Sequence, residues 1–225
     1  MTRGYFVTGT DTGVGKTVIA CALMHAFAAT GRSVVGMKPV AAGRENGVFE
    51  DVEALLRASD VEAPMNLINP YSFDLPIAPH VAAALEGVKI DMEVIARACD
   101  ELTRLADVVI VEGAGGFMIP LNATRTSADL AQALSLPVVL VVGMRLGCLN
   151  HALLTREAIE ARGLQCAGWV ANCIEPAMPH LEANLRTLDD RLNCPRLGLV
   201  PYSPKPDPHN VAQLLVLDRM TETSG

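Results

Sequence analysis

Gly9-Thr10-Asp11-Thr12-Gly13-Val14-Gly15-Lys16-Thr17 decides the fold of this chain. A short apolar run, Tyr5–Thr8, precedes it. Lys16 to about Ala29 follows, with Ile19, Leu23, Ala26 and Phe27 at the spacing of one helix face. Strand, glycine-rich turn and helix in that order are the setting of a phosphate-binding loop. The glycines let backbone N–H groups converge on phosphate oxygens, and the helix start adds the positive end of its dipole. Lys16 is expected to reach the β- and γ-phosphates of a nucleoside triphosphate, and the Thr17 hydroxyl to bind Mg²⁺. Gly9 and Gly15 are separated by five residues, one more than the usual pattern has.

Outward from this loop the pattern alternates between strand and helix. Ser33–Lys38 reads as a strand stopped by Pro39, Asp51–Ala58 as a helix, and Asp91–Leu105 as a helix capped by Asp91. Asp107–Glu112 and Pro137–Val142 are continuous apolar strands, the type buried on both faces in parallel sheets. Asn150–Arg162 reads as a helix closed by Gly163, Cys166–Ala171 as a strand, Met178–Leu192 as a helix with Pro179 in its first turn, and Arg196–Val200 as the last strand. Pro64, Pro70, Pro76 and Pro79 are expected to break the 59–90 stretch into loops and short turns. The proline-rich 201–209 segment is expected to be a loop, and Asn210 to about Met220 a final helix. The fold expected is α/β: a mostly parallel sheet with helices on both faces, one P-loop domain over residues 1–225.

Bulk properties narrow the class. Half of the 225 residues are apolar, enough for a large core, and the formal net charge is −7. That acidic balance argues against nucleic-acid binding by phosphate neutralisation. The opening Met-Thr-Arg-Gly-Tyr-Phe-Val has no signal-peptide features. The most apolar run, Val138–Val142, is far too short to cross a bilayer, so a cytoplasmic location is expected and no membrane partner. Cys21, Cys99, Cys148, Cys166, Cys173 and Cys194 form no C-x-x-C pair and read as small core residues.

Two further positions belong with the loop. Glu112 ends an apolar strand and opens Glu112-Gly113-Ala114-Gly115-Gly116; a lone carboxylate there is costly without a cation, and P-loop enzymes place a metal-binding acid at such a strand end. Lys38, in Met37-Lys38-Pro39-Val40, ends the second strand, at the sheet edge where open parallel sheets bind ligands. Asp51 reads equally as a helix cap or a metal ligand.

Val7-Thr8-Gly9-Thr10-Asp11-Thr12, Gly15-Lys16-Thr17, Lys38-Pro39-Val40, Val111 to Gly116, Leu146-Gly147-Cys148-Leu149-Asn150-His151 and Gly168-Trp169-Val170-Ala171-Asn172 occur in order. As a set they resemble the dethiobiotin synthetase family from near the first residue to about position 210, and the longer loop is normal there. The resemblance implies an ATP-dependent C–N ligase that acts on 7,8-diaminopelargonic acid. One amine takes up CO₂ as a carbamate, ATP phosphorylates it, and the second amine closes a cyclic urea, leaving ADP and phosphate. It implies catalytic roles for Lys38, Lys16 and Thr12, and Mg²⁺ held by Thr17, Asp51 and Glu112. ATP would contact Gly13, Val14, Gly15, Lys16, Thr17, Val18, Asp51, Glu112, Gly113, Ala114 and Gly115. The adenine side would lie at Asn172 and Pro201, Tyr202 and Ser203. Substrate would lie against Thr12, Lys38, Ala42, Gly147, Cys148, Leu149 and Asn150, the last group contacting its tail carboxylate across a homodimer interface. Asn150 is also a good N-cap. Gly13 stands where the family carries a larger, often acidic, residue, and Ala42 where a hydroxyl residue often contacts substrate.

Three rival classes fit less well. A switch or partition ATPase would carry an extra lysine early in the loop, where this chain has Thr10 and Asp11. A GTPase would carry Asn-Lys-x-Asp, which is missing. A cobyrinate-type amide synthase would need a glutaminase domain, for which the chain is too short.

Overall fold

A computed structural model of the protein describes residues 4–45 and 47–220. The elements run β1 (Gly4–Gly9), α1 (Lys16–Ala28), β2 (Val34–Met37), β3 (Val40–Ala42), α2 (Glu50–Ala58), α3 (Met65–Ile68), β4 (Tyr71–Phe73), α4 (Pro79–Leu85) and α5 (Met92–Leu105). They continue with β5 (Val108–Glu112), α6 (Ser127–Leu134), β6 (Val138–Met144), α7 (Cys148–Ala161), β7 (Cys166–Cys173), α8 (Leu181–Arg191), β8 (Arg196–Val200), α9 (Pro208–Ala212) and a 3₁₀ turn at Leu217–Arg219.

Six strands form one sheet in the order β2-β5-β1-β6-β7-β8, and each pairing is parallel. The central strands carry apolar side chains at successive positions because both faces are covered. Val108, Ile110, Tyr5 and Val7 pack with α1, α2 and α9 on one face. Val109, Val111 and Phe6 pack with α5, α6, α7 and α8 on the other. The expected α/β architecture is the one observed.

Strand order and register place the candidate site. β5 lies between β1 and β2; Glu112 is opposite Val7, and Val111 opposite Met37. Lys38, the residue after Met37, therefore emerges beside Glu112, and both flank the start of the loop that leaves β1.

Several expectations need correction. The 59–90 stretch is more ordered than loops and turns: α3, β4 and α4 lie within it, and β4 pairs in parallel with β3 as a small second sheet. Pro79 does not break α4; it occupies the first turn, where its missing N–H is no loss. Asn150 is not a cap, because α7 begins at Cys148 after Gly147, which takes a left-handed φ of 93°. Pro179 precedes α8 rather than lying in its first turn, since the helix starts at Leu181. The expected helix from Asn210 to Met220 is instead a short helix from Pro208 and a separate 3₁₀ turn. Beyond the 59–90 stretch a further helix, α6, has no counterpart in the sequence reading. It is held by a reciprocal capping box in which Thr126 and Asp129 satisfy each other's backbone N–H groups. Asp91 does cap α5, accepting from the Glu93 N–H at 2.9 Å.

Candidate active site

Residues 10–15 connect β1 to α1, and the chain enters the helix through Gly15 in a left-handed conformation, φ 89°. A Cβ there would meet the Asn172 amide nitrogen at 2.3 Å, so both backbone and space demand glycine. The Asn172 Nδ2 donates to the Val14 carbonyl at 2.8 Å. Asn172, near the end of β7, thus buttresses the loop, and part of its amide is committed to that task.

Lys16 is buried, and its ammonium donates to the Asp11 carbonyl at 3.0 Å. Burial lowers its pKa to about 8, helped by the nearby Lys38 charge and opposed by Glu112, Asp51 and Asp11. Lys38 is the focus of the cluster. Its ammonium lies 2.7 Å from Glu112 Oε1, 2.7 Å from Asp51 Oδ2 and 3.5 Å from the Gly113 carbonyl. Burial alone would lower the Lys38 pKa, but the Glu112 and Asp51 carboxylates outweigh it and hold the group above its ordinary value. The Thr17 hydroxyl donates to the same Glu112 Oε1 at 2.9 Å.

Asp51 lies in the first turn of α2, after Phe49 as N-cap, and no side chain caps that helix. Its carboxylate pairs with Lys38, which resolves its two readings against a capping role. Thr12 reaches the same neighbourhood: its hydroxyl would lie 3.6 Å from a Cβ on Gly115. Thr12, Lys16, Thr17, Lys38, Asp51, Glu112, Gly113 and Gly115 are thus brought together, with Asn172 behind the loop.

Other predicted residues make no hydrogen bond or ion pair to this cluster among the described residues. Pro201, Tyr202 and Ser203 are exposed after β8. Ala42 lies in β3, opposite Phe73. Gly147 to Asn150 form the start of α7. A cleft of ≈ 780 Å³ opens between α1, α2 and the 205–208 segment, with Thr17, Val18, Asp51 and Lys205 in its wall; Asn172 and Ser203 are not among its lining residues.

Glu112 Oε2 is buried with no hydrogen-bond partner among the described residues. A hydroxyl and two carboxylates, with one oxygen unsatisfied, fit a hard divalent cation whose remaining ligands come from phosphate and water. The chemistry of the donor set therefore suits Mg²⁺. Among the described residues no set of three or more His, Cys, Asp and Glu forms a closed metal cage.

Two supporting residues escaped the sequence reading. Arg145, just past β6, pairs with Asp11 at 2.6 Å, tying the phosphate loop to the approach of α7. Asn69 donates to the Lys38 carbonyl at 2.7 Å and to the Tyr71 carbonyl at 2.9 Å. The Lys38 N–H in turn donates to the Ile68 carbonyl at 2.8 Å, so the 65–71 segment grips the backbone of Lys38 on both sides. Neither residue sits in a motif.

A family profile described as an AAA domain matches residues 3–210. The ATP-dependent dethiobiotin synthetase BioD of Nitrosospira multiformis is 56% identical over 224 residues, covering 100% of this chain and 99% of that protein. The chain belongs to the dethiobiotin synthetase family. Its relatives include the enzymes of the same name from Aromatoleum aromaticum, 53% identical over 96% of this chain and 97% of theirs, and Xanthomonas euvesicatoria, 50% identical over 96% and 98%. Among solved structures, the septum site-determining protein MinD of Pyrococcus horikoshii, complexed with Mg-ADP, superposes with a TM-score of 0.60. It covers 91% of this chain and 83% of its own at 17% identity, a likeness of P-loop fold alone. That protein and this chain share the fold and, at this identity, nothing further is carried over.

Proposed function

We propose that this chain is an ATP-dependent dethiobiotin synthetase, a ligase of biotin biosynthesis that forms ring C–N bonds between CO₂ and 7,8-diaminopelargonic acid. Relatives of that name at 50–56% identity over nearly the whole chain support the activity. The observation that carries the site assignment is the buried Lys38 ammonium, 2.7 Å from both Glu112 and Asp51 and sharing Glu112 with Thr17 of the phosphate loop.

The chemistry gathers negative charge before ring closure. An amine of the substrate adds to CO₂ and loses a proton, giving a carbamate. A carbamate oxygen takes the γ-phosphoryl group of ATP, giving a carbamic–phosphoric anhydride and ADP. The second amine then attacks the carbamate carbon and expels phosphate. No protein nucleophile is required, and fixed cations aimed at the developing charge supply the catalysis. Lys38 stabilises the carbamate and the transferring phosphoryl group, and Lys16 holds the β- and γ-phosphates. Thr12, beside Gly115, hydrogen-bonds the carbamate or an amine. Thr17, Asp51 and Glu112 would hold Mg²⁺, which when bound would neutralise phosphate charge.

Gly13 to Val18 and Gly113 to Gly115 are the ATP-contacting segments in this reading. Asn172 Oδ1 and Pro201–Ser203 serve the adenine edge. The start of α7, Gly147 to Asn150, offers N–H groups to the substrate's tail carboxylate, in a homodimer where that contact crosses to the partner subunit. Ala42 contributes backbone alone. The whole chain acts as one P-loop domain in the cytoplasm; no helix among the described residues is long and apolar enough to cross a membrane.

Product analysis tests the activity. Incubation with ATP, Mg²⁺, bicarbonate and the diamine should yield the cyclic urea with stoichiometric ADP. Phosphate release that ignores the diamine would instead favour a switch ATPase.

A further inference from the structure

Two thiols face each other on the side of the molecule away from the phosphate loop. Cys166 is the first residue of β7, whose other end carries Asn172. Cys194 lies in the turn between α8 and β8, next to Asn193 at a left-handed φ of 49°. The Trp169 N–H donates to the Pro195 carbonyl at 2.9 Å, which fixes that turn against β7. The two sulfur atoms are 3.1 Å apart, closer than ordinary sulfur contact, and Cys194 is half-buried whereas Cys166 is buried.

The surroundings distinguish the pair chemically. Arg156 of α7 donates from Nε to the Leu192 carbonyl at 2.7 Å and pairs through Nη2 with Glu160 at 2.5 Å. Its Nη1 is buried with no hydrogen-bond partner among the described residues. The hydrogen bond with Cys166 lowers the Cys194 pKa below its usual value; burial and Glu160 oppose the shift, and Arg156 reinforces it. The shared hydrogen bond, with burial, pushes Cys166 the other way. The thiol nearer solvent is the one favoured to ionise, and its inner neighbour is in place to resolve an adduct.

We propose that Cys166 and Cys194 are a reversible modification site, converted to an intramolecular disulfide by a small-molecule disulfide of the glutathione type. The Cys194 thiolate attacks one sulfur of the oxidant, forming a mixed disulfide and releasing one thiol. Cys166 loses its proton and attacks Cys194 Sγ, expelling the second thiol. Two protein thiols and one oxidant disulfide become one protein disulfide and two small thiols. The sequence spacing gives no hint of this, because the cysteines are 28 residues apart and meet only when β7 and β8 pair. By loop-closure entropy, the bridge would raise the folded-to-unfolded ratio by about two to three orders of magnitude.

The test uses the purified full-length chain, reduced, desalted and titrated with oxidised glutathione, followed by non-reducing tryptic mapping. The expected product joins peptide 163–186 to peptide 192–196 and is released by dithiothreitol. Because Cys173 shares the first peptide, Cys173→Ala must give the same link. Cys194→Ala must abolish it, and Cys166→Ala must instead accumulate glutathione on Cys194. Oxidation should also raise the thermal midpoint of the wild type by several degrees and leave Cys194→Ala unchanged. The proposal is overturned if wild type stops at the mixed disulfide, if Cys173 proves to be the partner, or if Cys194→Ala is stabilised equally.

Discussion

Replacing Lys38 with methionine keeps much of its side-chain volume and removes the ammonium. Among the described residues Glu112 is then left with the Thr17 hydroxyl as its one remaining hydrogen-bond partner, its side chain only 1% exposed. Removing one partner of a buried ion pair costs about 3–5 kcal/mol. The Asp51 contact adds little, because that carboxylate is 45% exposed and solvent screens such pairs to about 0–1 kcal/mol. The surviving Thr17 bond offsets about 1 kcal/mol. A net loss of about 3 kcal/mol follows, which for a chain of this size lowers Tm by about 6–12 °C. The assay is urea denaturation in chelator, so that no divalent ion substitutes for the ammonium. The midpoint should fall with the slope unchanged, and Lys38→Met/Glu112→Gln should recover most of the loss. Turnover of Lys38→Met should drop by about 10²–10³ or more, while ATP binding persists through the loop. A single variant within about 1 kcal/mol of wild type, or a double variant no better than the single, refutes the pairing; near-normal turnover removes Lys38 from the mechanism.

Asp129→Asn should weaken the cap of α6. Partial burial would raise the Asp129 pKa, but the Thr126 N–H and hydroxyl and the Arg162 guanidinium outweigh it and hold the carboxyl below its usual range. Its stabilisation is therefore complete above the unfolded carboxylate value of about 3.9 and is lost as pH falls through the lower folded value. Wild type and variant should differ by about 1 kcal/mol at neutral pH and converge in acid, as read by denaturation across that window; a gap independent of pH contradicts the charge argument. Arg145→Ala should cost under about 1 kcal/mol of stability, since both partners are well exposed, yet it should lower kcat/KM by about tenfold through misplacement of the loop. Unchanged steady-state kinetics would remove the positioning role. Asn172→Ala should weaken the preference for ATP over GTP and also loosen the loop at Val14, so the KM of each nucleotide should rise. Unaltered selectivity would leave Asn172 only its buttressing bond.

The parts of the site legible in the sequence are those that local chemistry dictates. A strand, a glycine-rich loop and Gly15-Lys16-Thr17 have one common use, and an acid closing the otherwise apolar β5 needs a cation. Asp51 stayed ambiguous because acids in a first turn suit the helix dipole as well as a metal, and its 2.7 Å approach to Lys38 is a tertiary contact that no local pattern encodes. The 59–90 stretch misled because α3, β4 and α4 are too short for periodicity to register and prolines mark their edges. Arg145 and Asp11 are 134 residues apart, and the Asn69 grip on Lys38 depends on tertiary approach, so no local pattern encodes either. Asn150 looked like a cap because its side chain suits one, but Gly147 reaches a backbone conformation that starts the helix earlier.

β5 reads Val-Val-Ile-Val-Glu, and any neighbouring alignment against β1 would bury apolar groups equally well. Alternation therefore cannot prevent a one-step slip, as it does in a half-exposed strand. A steric gauge at the opposite end does so instead: a methyl group on Gly4 would sit 2.4 Å from the Val109 carbonyl oxygen. The hydrogen lets the two backbones close in this alignment, and three pairings later Val7 meets Glu112. A residue remote from every reacting atom thus calibrates where the acid stands, and a bulkier substitute there should misplace it without touching the pocket.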